Sequence, residues 1–274
     1  MASVDGWAVG ERLSPAGGVR IAGADLSRPL PADLKAAILD AFRAHHILVF
    51  PDQQLTREAQ FRFAANFGEV EPHRPRGAAA KRDGVAHILS NLDAAGRPVA
   101  RRSPAANYHW HTDKPYYPAP PLLTSLYAVE LPACGGDTEF ANMAMAYEAL
   151  PAATRRRIAG LRVRFAPRFE PEGERREVEH PLVRTHPETG RKSLYIGNHA
   201  LGIAGLGAAE GEALLAELLA HATGRAFVYA HRWRTGDLVM WDNRCLLHRG
   251  LADFDMSRER RVMHRSVVKG TVPF

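Results

Sequence analysis

The stretch Ala226-Phe227-Val228-Tyr229-Ala230-His231-Arg232-Trp233-Arg234-Thr235-Gly236-Asp237-Leu238-Val239-Met240-Trp241 decides the fold class. Phe227, Tyr229, His231 and Trp233 alternate with Ala226, Val228, Ala230 and Arg232, which is the two-residue period of a strand. Residues 234–237 supply a turn around Gly236, and residues 238–241 are strand-like again, so the segment predicts a β-hairpin. Residues 261–268 alternate as well, placing Arg261, Met263, Arg265 and Val267 on one face. Upstream, residues 47–50, closed by Pro51, and residues 121–131 also read as strands. A turn at 133–136 then leads into Asp137-Thr138-Glu139-Phe140.

Helices flank these strands. Leu34, Ala37, Ile38, Ala41 and Phe42 recur at helical spacing after Pro31, and a short helix follows Thr56, a suitable N-cap. Residues 150–161 are mostly helical. Leu214, Leu215, Leu218, Leu219 and Ala222 form an apolar stripe ending at Gly224, which reads as a C-terminal cap. Residues 70–107 show little periodicity and read as a long loop placed to cover a site. Residues 168–179 read as an exposed charged stretch. No βαβ rhythm appears, so the predicted class is mainly β, a sandwich or barrel with peripheral helices.

Composition narrows the function. With 46% hydrophobic and 24% charged residues, the chain has material for one sizeable core, which predicts a single domain over residues 1–274 and excludes a disordered or fibrous protein. Lys and Arg exceed Asp and Glu by 36 − 30 = 6, which favours small anionic partners. Two cysteines, Cys134 and Cys245, without a CxxC motif, cannot build a disulfide framework or a cysteine zinc site, and they fit a reducing cytoplasm. No apolar run approaches the roughly 18 residues of a membrane span, and the N-terminus lacks an apolar signal core. Basic residues between 74 and 82, with Arg97, Arg101 and Arg102, lack interleaved aromatics and read as a solvated lid rather than a nucleic-acid surface.

The chemistry gathers in Asn107-Tyr108-His109-Trp110-His111-Thr112-Asp113. On an extended backbone His111 and Asp113 point the same way, and one further imidazole would complete a two-histidine, one-carboxylate face, the ligand set of non-haem Fe(II) oxygenases. The same set can hold zinc, but no HExxH helix accompanies it, which weakens a hydrolase reading. Downstream, residues 236–244 precede His248, Arg261 and Arg265.

With these motifs, the chain resembles the taurine dioxygenase family of Fe(II)- and 2-oxoglutarate-dependent dioxygenases, and within it the 2,4-dichlorophenoxyacetate dioxygenases. The likeness runs from about residue 15 to the end. It is densest in His111-Thr112-Asp113, Gly135-Gly136-Asp137-Thr138-Glu139-Phe140, residues 190–192, Asn198-His199-Ala200 and residues 238–250. It implies a cupin-like double-stranded β-helix, or jelly roll, with His111, Asp113 and His248 as iron ligands. It also implies that 2-oxoglutarate and O2 are co-substrates, with Thr138 and Arg261 on the distal carboxylate of 2-oxoglutarate.

The resemblance further assigns Arg265 to the acidic group of the substrate, and His199, His73 and Asn107 to other substrate contacts. Trp110 and Trp241 are expected to shape the site by packing, and Lys114 to be solvated rather than a substrate clamp. The interval from His248 to Arg261 is two residues longer than the resemblance leads one to expect, and Phe254, Asp255 and Met256 lie inside it. The expected reaction is hydroxylation of a small anionic substrate. An aryloxyalkanoate would undergo ether cleavage to a phenol and a 2-oxo acid such as glyoxylate; a taurine-like sulfonate releasing sulfite is the alternative. A redox-inactive anion-binding barrel is the rival from outside enzymology, and a homo-oligomer is possible.

Overall fold

A computed structural model gives the fold over residues 6–72, 84–100, 105–167 and 177–274. In chain order the elements are β1 (Ala8–Ser14), β2 (Gly17–Ala22), α1 (Ala32–His45), β3 (Ile47–Phe50), α2 (Arg57–Ala65), β4 (His87–Ser90), β5 (Leu123–Glu130), β6 (Thr138–Asn142), α3 (Met143–Ala149), α4 (Ala152–Ile158), β7 (Arg162–Phe165), β8 (Val178–Pro181), β9 (Val183–Thr185), β10 (Lys192–Leu194), β11 (Ala200–Ile203), α5 (Ala208–Ala222), β12 (Val228–His231), β13 (Leu238–Asp242), β14 (Leu246–Gly250) and β15 (Val262–Val268). Single 3-10 turns lie at Ala105–Tyr108 and Arg225–Phe227. The class is mainly β with flanking helices, as the alternation predicts.

The large sheet has the order β1-β2-β3-β13-β5-β15-β4, and a smaller one the order β12-β6-β14. Within the large sheet β2 and β3 are parallel, while β13 is antiparallel to β3 and β5. Both faces of the central strands are covered, which is why they read as unbroken apolar runs. Leu48 and Phe50 of β3, with Leu238 and Met240 of β13, pack against Ile38 and Phe42 of α1 and Phe63 of α2. The alternate residues Ile47, Val49, Val239 and Trp241 pack inward against Phe140 of β6 and Leu246 of β14. Ala141 and Leu247, one residue further along β6 and β14, turn outward to Met143 of α3 and Leu214 and Leu218 of α5. The smaller sheet thus lies between the large sheet and a second helical layer.

Several expectations hold in detail. The side chain of Thr56 caps α2 by accepting from Ala59 N at 3.1 Å, and α1 buries Leu34, Ile38, Ala41 and Phe42. No described helix is long and apolar enough to cross a membrane.

Other expectations need correction. The predicted hairpin does not form: β12 pairs with β6, whereas β13 is flanked by β3 and β5 and has no edge left for β12. The intervening turn is tied elsewhere, Gly236 N donating to Ala128 O (2.9 Å) and Gln53 N to Gly236 O (2.8 Å), so it carries the chain from one sheet to the other. Residues 70–107 are not simply loop, because β4 adds to the large sheet beside β15, with Leu89 opposite Met263. Four residues on a half-exposed edge give too short a pattern to read.

The helix read over 150–161 is α4, which begins behind Pro151, and α3 precedes it unforeseen. The proline separates the two because its ring is tolerated at a helix start but not inside. Gly224 is no left-handed cap: its φ is −62°. Thr223 Oγ1 instead donates to Leu219 O at 2.8 Å and closes α5. The suggested cover over the site falls in part on residues 73–83 and 101–104, and most of the charged stretch on 168–176, outside the described residues.

Candidate active site

Strand β14 brings His248 into the interior, and the chain before β5 runs alongside it. His111 N donates to His248 O at 3.0 Å and His248 N to His111 O at 2.7 Å, so one residue of strand-like pairing fixes the two rings with centroids 4.1 Å apart. Asp113 follows two residues later on the same side. The ligand atoms of His111, Asp113 and His248 all lie within 4.8 Å of one another, and all three residues are buried.

The hydrogen bonding leaves these ligands available. His111 Nδ1 faces the carbonyl of His109 at 2.8 Å, so that nitrogen carries the proton and Nε2 keeps its lone pair. His248 Nδ1 is buried without a partner. Burial pushes the His248 imidazole well below its ordinary pKa and lowers that of His111, so both rings are neutral. Burial opposes ionisation of Asp113, but the Arg265 guanidinium and the Thr124 hydroxyl favour the carboxylate, and the carboxyl is held below the usual range. Two neutral imidazoles and one carboxylate on one side, with the other positions open, suit Fe(II).

Two residues that sequence reasoning passed over hold this arrangement. Thr124 of β5 donates its hydroxyl to Asp113 Oδ2. Asn243 donates to Thr124 Oγ1 (2.9 Å), accepts at Oδ1 from Trp241 Nε1 (3.2 Å) and Asp113 N (3.4 Å), and its carbonyl accepts from Thr112 Oγ1 (2.8 Å). The available signal was a polar pair, Thr124 and Ser125, inside the strand-like stretch 121–131, since a buried polar side chain requires a partner.

A cleft opens beside the cluster, bounded by His111, His248, Asn107, Thr138, Arg261 and Arg265, with Leu89, Leu126, Leu251 and Phe254 as apolar wall. Among the described residues no carboxylate lies within 4 Å of Arg261, whose Nε donates to Gly136 O at 3.1 Å. Gly136 has φ +70°, and a Cβ there would meet Arg261 Cδ and Nε at 3.2 Å, so the turn of residues 133–136 requires glycine for the guanidinium to pass. Thr138 Oγ1 accepts from Trp233 Nε1 at 3.0 Å, which leaves its own proton free to donate. Arg265 reaches Asp113 only at 3.5 Å, and its Nε is buried without a partner. Two guanidiniums and a hydroxyl thus offer donors to anions next to the ligand cluster.

Of the predicted contacts, Asn107 is on the cleft wall. His199 is not; its buried ring meets Tyr116 edge-on at 5.0 Å, because residue 198 is tied by its backbone to Trp110 O (2.9 Å). His73 lies outside the described residues. Lys114 is not simply solvated but pairs with Glu71. Trp241 packs on His248 at 4.7 Å, as expected of a residue that shapes the site.

A second buried group, His46, His186, Asp242 and Cys245, also clusters within 4.8 Å. His46 Nδ1 is buried without a partner, but the carboxylate and the accepting ring nitrogens are already committed. Arg244 grips Asp242 through Nε (2.8 Å) and Nη2 (2.7 Å). His186 Nδ1 accepts from the backbone of Glu188 and Thr189, so its Nε2–H donates to Asp242 at 3.0 Å. His46 Nε2 accepts from Arg191 at 3.3 Å. The guanidinium of Arg244 takes the place a cation would occupy.

A mainly β fold with two histidines and a carboxylate beside an arginine-lined cleft defines a class, the mononuclear metal oxygenases. Residues 10–267 match the family described as taurine catabolism dioxygenase TauD, TfdA family, and the chain belongs to that family. It is a dioxygenase. It is 42% identical over 248 residues to the alpha-ketoglutarate-dependent 2,4-dichlorophenoxyacetate dioxygenase of Cupriavidus pinatubonensis, covering 82% of this chain and 85% of the relative. It is 35% identical over 268 residues to the (S)-phenoxypropionate/alpha-ketoglutarate-dioxygenase of Sphingobium herbicidovorans, covering 91% and 89%. Among solved structures it resembles AAD-2 in complex with Mn(II) and N-oxalylglycine, with a TM-score of 0.87, 36% identity and coverage of 97% and 99%.

Proposed function

We propose that this chain is an Fe(II)- and 2-oxoglutarate-dependent dioxygenase on a double-stranded β-helix, acting on an aryloxyalkanoate. The observation that carries the reading is a buried cluster of two histidines and a carboxylate beside a cleft where, among the described residues, Arg261 has no carboxylate within 4 Å and Arg265 meets only Asp113, at 3.5 Å. His111, Asp113 and His248 hold the iron. Thr138 and Arg261 receive the distal carboxylate of 2-oxoglutarate, the hydroxyl donating a hydrogen bond and the guanidinium a charge-assisted pair. Arg265 takes the acid of the substrate, with Asn107 on the same cleft wall.

When bound, iron with 2-oxoglutarate and O2 supplies the oxidant that turns a substrate C–H into C–OH while 2-oxoglutarate becomes succinate and carbon dioxide. The protein's part is position. Arg265 anchors the carboxylate so that the adjacent carbon, which also bears the ether oxygen, faces the cluster. Hydroxylation there gives a hemiacetal that collapses to a phenol and a 2-oxo acid. The relatives named for phenoxy acids and the apolar cleft wall favour this substrate class over a taurine-like sulfonate. Two free thiols suit a reducing cytoplasm.

The test is succinate and phenol release by Fe(II)-loaded protein in air with phenoxyacetate, against taurine in parallel and anaerobic controls. Phenol stoichiometric with succinate is the expected result. Sulfite from taurine without phenol would move the assignment to sulfonates. Turnover without oxygen would remove the oxygenase reading.

A further inference from the structure

Resting on the aryloxyalkanoate reading, we propose that Phe254 determines specificity by presenting a preset aromatic wall to the ring of the substrate. Phe254 lies in the segment between β14 and β15, flanked by the exposed Asp253 and Asp255, yet it is half-buried and forms part of the cleft wall with Arg265 and His111. An aromatic residue between two solvated acids is placed there by its anchors.

Those anchors stand on both sides of it. Asp253 Oδ1 accepts from Gly136 N at 2.7 Å, and a Cβ at Gly135 would come within 2.7 Å of Asp253 O and Oδ1, a close approach that glycine permits. On the other side Asp255 Oδ1 accepts from Ser257 N at 3.0 Å and Asp255 O from Glu259 N at 2.8 Å, closing a tight turn. Asn91 then clamps that turn from outside, donating to Met256 O (2.9 Å) and Glu259 O (2.8 Å) and accepting from Arg261 N (2.8 Å). Phe254 is therefore held on backbone that is fixed before any ligand arrives, so little ordering entropy is lost on contact.

The other large rings on the cleft serve the site itself. Trp241 is committed to Asn243 and His248, and Tyr108 directs its hydroxyl to Met256 Sδ at 4.0 Å. Phe254 has no polar handle to satisfy and offers an apolar face and edge, which suits an aromatic ring in an offset or edge-on arrangement. With Leu89, Leu126 and Leu251 it makes the apolar half of a cleft whose other half is cationic, which fits an acid carrying an aryl group better than a small hydrophilic anion.

The test compares phenoxyacetate with butoxyacetate, which keeps the carboxylate and ether oxygen but lacks the ring. Anaerobic calorimetric titration of each into protein with Fe(II) and 2-oxoglutarate reads binding without turnover, and aerobic succinate release reads kcat and KM. Phe254→Ala is expected to weaken phenoxyacetate binding about tenfold and raise its KM alike, leaving butoxyacetate and the KM for 2-oxoglutarate within about twofold. Phe254→Tyr is expected to restore phenoxyacetate binding. Equal losses for both acids, or no loss for phenoxyacetate, overturn the proposal while the dioxygenase reading stands. A wild-type protein that binds and converts butoxyacetate but not phenoxyacetate overturns the aryloxy assignment and this inference together.

Discussion

The two buried histidine and carboxylate clusters are built from neighbouring residues and do opposite things. Residues 241–244 serve both: Trp241 and Asn243 support the cluster of His111, Asp113 and His248, while Asp242 and Arg244 belong to that of His46, His186 and Cys245. Counting ligand-type residues does not separate them. What separates them is where each lone pair goes. In the second cluster every ring nitrogen that accepts already has an N–H donor, and a guanidinium neutralises the carboxylate. In the first, His111 Nε2 is uncommitted, His248 makes no side-chain hydrogen bond, and the nearest cation to Asp113 is 3.5 Å away. The first cluster thus keeps a ring lone pair available to a metal beside a lightly paired carboxylate, whereas the second spends its accepting nitrogens on N–H donors and its carboxylate on a guanidinium.

Removing a ligand from each cluster should break the comparison most visibly. Asp113→Ala or His248→Ala is expected to lower substrate-dependent succinate formation by at least about 10³-fold and to abolish stoichiometric Fe(II) uptake, measured as metal content after desalting. His186→Ala should leave the iron content per folded chain unchanged. If the His186 variant lost iron and the His248 variant kept it, the two clusters would have been assigned the wrong way round. A smaller effect, on stability instead of activity, is expected from Arg244→Met. It strands the buried Asp242 charge and should cost about 3–5 kcal/mol in denaturant unfolding, with iron uptake intact in the folded fraction.

The same contrast explains what the sequence made legible. Strand alternation placed Arg261 and Arg265 on one face, and both do line one cleft. The HxD spacing put His111 and Asp113 on one side, and β14 delivers His248 to them. The hairpin failed because periodicity reports a strand's faces and not its edges, and β13 has both edges occupied. Thr124 and Asn243 were harder to read, because a polar residue within a strand-like stretch, or an asparagine in a turn, marks a need for partners without naming them; the hydrogen bonds do that. The second cluster joins His46, at the end of α1, to residues some 140 to 200 positions later, and nothing local announces that meeting.

The pH dependence of folding sharpens the comparison at a finer scale. Burial, only partly offset by Asp242, lowers the pKa of His46 to about 4 from an ordinary 6.5. Its Nε2 faces the Arg191 guanidinium, so a second ring proton would set donor against donor. The folded protein therefore holds His46 neutral where the unfolded chain protonates it. Stability from this residue is complete above about pH 6.5 and is lost as pH falls toward 4, a difference of about 3 kcal/mol for a shift of this size. Asp242 follows the carboxylate sign: its folded pKa is depressed, because Arg244 outweighs the cost of burial, so its contribution is present above about pH 4 and lost below. The window from pH 6.5 to 4.5 thus isolates His46 from its carboxylate neighbour. His46→Asn tolerates the left-handed backbone at that position, φ 63°, and does not titrate there. Denaturant midpoints across this window should fall less steeply for His46→Asn than for the parent, and parallel slopes would show that the ring is already solvated in the folded state.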